Sequence, residues 1–271
     1  MPPPPCTFVY LPGAGGGEAD LAVLRRSLGD AFRFETADYP GWRRYIDDRF
    51  TAETLLEELT TKISTSMPQG PILIVGVSLG GHFGYAAALQ LEAMGRKIGG
   101  ICAIDTFMID SSGPSEGWQT RALGQALELV REGRIGKLMR FARSRFWRAL
   151  FRLSGSRLTG IIRSSAVSGR LPWILAWDPI AEEELSMRLL LRKVAPWVPS
   201  LDCDPAPLNV PAVLLRTPLT ATDDATWKRR CPSMKIYEIP GQHLALFEPE
   251  NISSLSNAFT TATRERCQSR S

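Results

Sequence analysis

One serine in this chain is set up to attack. Gly76-Val-Ser78-Leu-Gly80 follows the apolar run Pro71-Ile-Leu-Ile-Val75 and leads into the helix-favouring residues 83–92. G-x-S-x-G between a strand and a helix is a nucleophile elbow, whose glycines permit a turn tight enough to lift the hydroxyl above a helix N-terminus. A hydroxyl is a poor nucleophile until a base takes its proton, and the base works best when a carboxylate orients it. The chain has two histidines. His243 follows Gly241 and stands between the last strand-like run and the final helical stretch, a position that returns to the sheet edge beside the elbow. It is the expected base. His82, four residues past Ser78, lies in the elbow helix and is expected to be a neutral, packed side chain.

Two placements are open for the carboxylate. Asp105 ends the strand after the elbow helix, while Asp223 and Asp224 follow a later strand through a polar loop. Either gives the order serine, acid, histidine. Asp105 abuts its strand and is preferred, with Asp223 as understudy. The developing oxyanion needs donors: the backbone N–H of Leu79, next to the serine, and that of Ala14 in the Pro12-Gly-Ala-Gly15 loop after the first strand. Gly13-x-Gly15 also has the look of a dinucleotide-binding loop. Position 18 is glutamate, however, where that fingerprint ends in glycine or alanine, and the reading leaves Ser78 without a task.

Apolar runs predict strands at 7–11, 32–36, 72–75, 100–104, 210–215 and 234–239. Helical spacing predicts helices at 19–28, 51–64, from the elbow to about 94, and at about 249–264. Between about 106 and 208 the alternation stops and the text turns helical and basic. The expected organisation is a Pro-rich stub (1–6), an α/β core with a mostly parallel sheet (7–105 and 209–271), and a helical lid inserted at 106–208 over the C-terminal edge of the sheet, where open α/β sheets bind ligands. Five tryptophans fall in this insertion: Trp118, Trp147, Trp173, Trp177 and Trp197. Lining an acyl channel and forming the lid's own core are both open to them.

The 271 residues are 44% hydrophobic and 22% charged, ordinary for a globular protein. No apolar run approaches the roughly 18 residues needed to span a bilayer, and Met1-Pro-Pro-Pro-Pro5 lacks the regions of a signal peptide. No membrane contact and a cytoplasmic location are expected. Five scattered cysteines without a C-x-x-C pair predict reduced thiols, no disulfide framework and no metal site. The net charge of +4 conceals a block between Arg131 and Arg170 with eleven basic residues against Glu132 alone. Such a patch suits an acidic partner; no nucleic-acid motif accompanies it, and the solvated face of a helix is the alternative.

Leu11-Pro-Gly-Ala-Gly-Gly16, Gly76-Val-Ser-Leu-Gly-Gly81, Leu89-Gln-Leu-Glu-Ala-Met-Gly95, Ile104-Asp105 and Gly241-x-His243 resemble the thioesterases of polyketide and nonribosomal peptide synthetases, of the α/β-hydrolase superfamily. The resemblance covers nearly all of the chain outside the insertion. It implies an α/β-hydrolase fold with a helical lid, Ser78 as acyl acceptor, His243 as base, Asp105 as orienting acid, and Ala14 and Leu79 at the oxyanion. It implies no bound cofactor: the acyl or peptidyl chain arrives on the phosphopantetheine arm of a carrier protein, which the basic block would dock. An acid on the strand after the elbow helix resembles chain-releasing terminal domains; stand-alone editing thioesterases carry theirs later, near Asp223. A general serine carboxylesterase without a carrier is the other alternative.

Overall fold

The computed structural model describes residues 6–16, 18–107, 131, 133, 135–167, 178–203, 206–218 and 224–268. Six strands, β1 (Cys6–Leu11), β2 (Phe32–Thr36), β3 (Ile72–Val77), β4 (Ile98–Ile104), β5 (Ala212–Arg216) and β6 (Met234–Glu238), form one sheet in the order β2-β1-β3-β4-β5-β6. Every pairing is parallel. A parallel strand covered on both faces reads as an unbroken apolar run. β3 is buried at every residue, whereas β2, on the sheet edge, buries only Phe34.

From β1 the chain steps outward to β2, then re-enters at β3 on the other side of β1. The strand order therefore reverses between β1 and β3, and the carboxyl ends at such a reversal form the crevice where open sheets bind ligands. The loop after β1 and the turn carrying Ser78 both leave the sheet at this point.

Helices cover both faces. Helix α1 (Glu18–Leu28) and the C-terminal helix α9 (Pro249–Gln268) pack on one side, on a core that includes Phe8, Leu24, Val75, Ile104 and Phe259. There Phe259 meets Phe8 and Phe32 with ring centroids at 5.3 and 5.4 Å. Helices α3 (Ala52–Ser66) and α4 (Leu79–Ala93) pack on each other, and α4 lies on β3 and β4. Thr51 caps α3 by accepting from the Thr54 N–H at 3.2 Å, and Leu55, Leu59 and Ile63 recur at helical spacing on its buried side.

The chain forms two compact units: Met1–Tyr39, Thr51–Ile109 and Pro196–Ser271 in the first, Pro40–Phe50 and Asp110–Ala195 in the second. The second contains α2 (Trp42–Tyr45), α5 (Ile135–Val167) and α6 (Pro179–Val194). Asp178 organises it. One carboxylate oxygen caps α6 by accepting from the Ile180 N–H at 2.9 Å; the other accepts from Trp147 Nε1 at 2.6 Å. Arg143 pairs with the same carboxylate, Arg148 with Glu184 and Arg140 with Glu183, so three arginines of the basic block are engaged by acids of the second unit. Trp147 is buried against Phe151, while Trp197, at the start of α7 (Trp197–Ser200), stacks on Phe83 at 4.8 Å in the first unit. Trp118, Trp173 and Trp177 lie outside the described residues.

One expectation is corrected. Cys6 is disulfide-bonded, while Cys102, Cys203 and Cys231 are reduced. A pairing set by tertiary packing leaves no signature in cysteine spacing, so the scattered thiols gave no warning of it.

Phe259→Ala removes the ring on which three other phenylalanines converge. It is expected to destabilise the protein by about 3–5 kcal/mol, read from the midpoint of urea unfolding.

Candidate functional site

Among the described residues only two non-glycine residues hold a positive φ: Ser78 at 52° and Asp105 at 45°. Such a conformation costs on the order of 1–3 kcal/mol and persists only where the surroundings over-determine it. At Ser78 they do. Its N–H donates to the Ile104 carbonyl at 2.8 Å, and its carbonyl accepts from the Gly81 N–H at 3.0 Å. A Cβ on Gly76 would lie 2.3 Å from the Gly80 oxygen, and one on Gly80 would lie 2.1 Å from that of Leu11. Both positions admit only glycine because backbone fills the space. Leu79 opens α4, so its N–H is among those a helix leaves without an internal partner.

The loop after β1 closes as a tight turn, the Gly16 N–H donating to Gly13 O at 3.1 Å, and Tyr39 pins it by donating to Pro12 O at 2.7 Å. A Cβ on Gly13 would stand 3.5 Å from that of Ser78, so this loop, with Ala14 in it, lies against the elbow.

Asp105 follows β4 and is fully buried. Its Oδ1 accepts from the Thr217 N–H at 2.7 Å; its Oδ2 accepts from His243 Nδ1 at 2.8 Å and from the Thr217 hydroxyl at 3.3 Å. A bond to a carboxylate holds the proton on Nδ1 and leaves Nε2 with a lone pair, the form a general base requires. His243 opens a short 3-10 turn, and the Phe107 ring meets its imidazole edge-on at 4.7 Å. The structure thus joins Asp105 to His243. No hydrogen bond joins the Ser78 hydroxyl to His243 among the described residues, and such contacts often tighten only when substrate is bound.

Of the later acids, Asp224 accepts from Arg216 at 3.2 Å, and Arg216 also bridges to Glu238 at 2.8 Å. Asp223 lies outside the described residues.

His82 does not reach the elbow's open side. It is completely buried; its Nδ1 faces Arg230 at 2.9 Å and its Nε2 the Phe107 carbonyl at 2.9 Å. A guanidinium only donates and a carbonyl only accepts, so Nδ1 accepts and Nε2–H donates. Burial, then Arg230, lower its pKa to about 3, the Phe107 bond opposing them.

Three contributors leave little trace in the sequence. Thr217 is revealed only by the β4–β5 register, which places Ile104 beside Leu215. Phe107 is one more aromatic after an acid. Asp20, on α1, is held above the usual carboxylate range by burial and then by Glu248, with His243 pulling the other way. Among the described residues no three His, Cys, Asp or Glu side chains gather as a metal site, and no helix is long and apolar enough to cross a membrane.

The thioesterase domain family matches residues 7–179. Comparison with curated proteins gives no match. Among solved structures, the Vlm2 thioesterase domain bound with a dodecadepsipeptide is 15% identical at a TM-score of 0.58, covering 94% of this chain and 95% of that one. The NocB thioesterase domain in covalent complex with a fluorophosphonate nocardicin G analog is 19% identical at 0.59, covering 94% and 93%. The four-domain nonribosomal peptide synthetase AB3403 is 19% identical at 0.58, over 94% of this chain and 19% of that one. At these identities the likeness is one of fold.

Asp105→Asn is expected to lower kcat by about 10⁴-fold, because the amide leaves the imidazole in the wrong tautomer. Thr217→Val, which keeps the backbone donor at 2.7 Å, is expected to cost under about tenfold. Steady-state kinetics of the two variants check the ranking. A second outcome concerns acid. His82 stays neutral in the fold down to about pH 3, whereas an unfolded histidine takes a proton near pH 6.5. Stability from this group is therefore complete above about pH 6.5 and falls as pH drops, by about 1.4 kcal/mol per unit. Urea midpoints between pH 7 and pH 4 are expected to fall less steeply in His82→Gln.

Proposed function

The chain belongs to the thioesterase domain family, and from that premise we propose that it releases an acyl, polyketide or peptidyl chain from a carrier-protein phosphopantetheine thioester through an acyl-Ser78 intermediate. The observation that carries this reading is a coincidence of position. The only two non-glycine residues forced to positive φ among the described residues are the serine of the elbow and the acid bonded to His243.

Ser78 Oγ attacks the thioester carbonyl carbon while its proton passes to His243 Nε2. Asp105 stays ionised and stabilises the imidazolium through the Nδ1 bond. The oxyanion accepts from the N–H groups of Leu79 and Ala14, each worth on the order of 10²–10³ in kcat by analogy with other oxyanion donors. The intermediate collapses, the C–S bond breaks, and the leaving sulfur takes the proton from His243. Water, or a nucleophile within the acyl chain, then gives its proton to His243 and attacks the acyl-serine, freeing a carboxylic acid or a ring and restoring the Ser78 hydroxyl.

The partner is an acidic acyl or peptidyl carrier protein, drawn to the basic block between Arg131 and Arg170. Ion pairs with Asp178, Glu183 and Glu184 occupy three of its arginines. Burial, then Arg148 among its neighbours, holds Arg145 below its ordinary value, with Arg152 adding to the crowding of like charge. An acidic surface relieves such crowding and gains on-rate from it.

Wild type mixed with an acyl-pantetheine thioester is expected to gain the mass of one acyl group by intact mass spectrometry, and Ser78→Ala is expected to gain none. An adduct on the alanine variant overturns the assignment. Turnover of simple esters at or above the rate for carrier-bound thioesters replaces the carrier-dependent reading with a general carboxylesterase.

A further inference from the structure

A buried polar chain runs behind the site. Asp202 accepts from Arg230 at 2.7 and 3.0 Å; Arg230 donates to His82 at 2.9 Å; His82 donates to the Phe107 carbonyl at 2.9 Å. Beside it Trp227, stacked on His82 at 5.8 Å, donates to the Thr106 carbonyl at 3.0 Å. His82 and Arg230 are wholly buried, and neither touches Ser78 or His243 through a hydrogen bond. What they hold is the segment 105–107, which carries the strained acid and the aromatic ring lying against the His243 imidazole.

We infer that His82 is a positioning residue for the Asp105–His243 pair, acting as a neutral hydrogen-bond relay that ties the elbow helix to the Phe107 carbonyl and so fixes the imidazole in register with the serine. This rests on the roles proposed above for Ser78, Asp105 and His243. The relay needs a side chain that accepts at one atom and donates at another while carrying no charge beside a guanidinium. A neutral imidazole does this, and so does a glutamine amide; lysine, arginine and carboxylates do not. An asparagine offers Arg230 an acceptor but is one bond too short to reach Phe107 as well. His82→Asn therefore cuts the relay at its last link, and His82→Gln restores it.

The Asp105–imidazolium bond weakens if the segment 105–107 shifts, so the His243 cation formed during proton transfer loses stabilisation. His82→Asn also leaves His243 as the chain's one histidine, which makes its ring signals unambiguous.

The test is ¹H–¹⁵N NMR of the imidazoles, with kcat and KM measured on an acyl-pantetheine thioester. In His82→Asn the His243 Nδ1–H signal is expected to broaden, and kcat to fall about 10- to 100-fold at unchanged KM. In His82→Gln signal and kcat are expected to match wild type. The inference is overturned if a folded His82→Asn keeps the wild-type Nδ1–H signal and kcat, or if His82→Gln is as impaired as His82→Asn, since shape rather than hydrogen bonding then governs. Should His82→Asn fail to fold, Asp202→Asn, which loosens Arg230 from its far side, is read by the same criteria. Acyl transfer surviving in Ser78→Ala sinks the functional reading alone; the His243 Nδ1–H signal still decides this one.

Discussion

Two backbone hydrogen bonds carry the sheet's ladder past the ends of its strands. Ser78 N–H reaches Ile104 O at 2.8 Å, and Asp105 N–H reaches Leu215 O at 2.6 Å. They stagger the tips of β3, β4 and β5 so that the elbow, the acid and Thr217 follow one another across the sheet. Every side-chain distance at the site inherits that stagger. A one-residue slip in a strand turns each side chain to the opposite face, so the buried runs Ile72–Val77 of β3 and Gly100–Ile104 of β4 protect the site as much as the core. The strain at the two positive-φ residues is held by the ladder at its base and by glycine-tight contacts at the elbow.

The interior behind the site holds an unusual burden. A fully buried guanidinium is costly unless it is paired and its donors are satisfied. Arg230 meets this with the Asp202 carboxylate, His82 and the Val198 carbonyl, and it lies over the rings of Tyr85 and Trp227. Its positive charge has a consequence for its neighbour: a second cation there would face repulsion without water to screen it, so the imidazole stays neutral. Of the chain's two histidines, one is thereby kept out of proton chemistry while the other faces a carboxylate.

Much of the architecture was legible in the residues. The run 32–36 is strand β2 to the residue, and the elbow glycines mark a turn that backbone contact makes obligatory. Those signals are local, arising from period, turn chemistry and apolar run length. The meeting of Asp105 with His243 lies 138 residues apart in the chain and could be placed only by assuming how strands order themselves. Thr217 was invisible because it depends on the register between β4 and β5, which no local pattern encodes. The Cys6 disulfide escaped for the same reason. Arg143 and Arg148 read as part of one basic patch, yet their acids come from α6 and its N-cap, some 35 residues on.

Thr217 occupies the tip of the strand next to the one that bears the acid, and its amide and hydroxyl between them hold both oxygens of that acid. Were residue 217 itself acidic, two anions would compete for one buried cavity and one imidazole, and one of them would have to remain protonated. Migration of the acid between neighbouring strands in this scaffold is therefore an exchange and not an addition: the newcomer can settle only as the incumbent leaves, and an intermediate bearing both is the frustrated state between two workable designs.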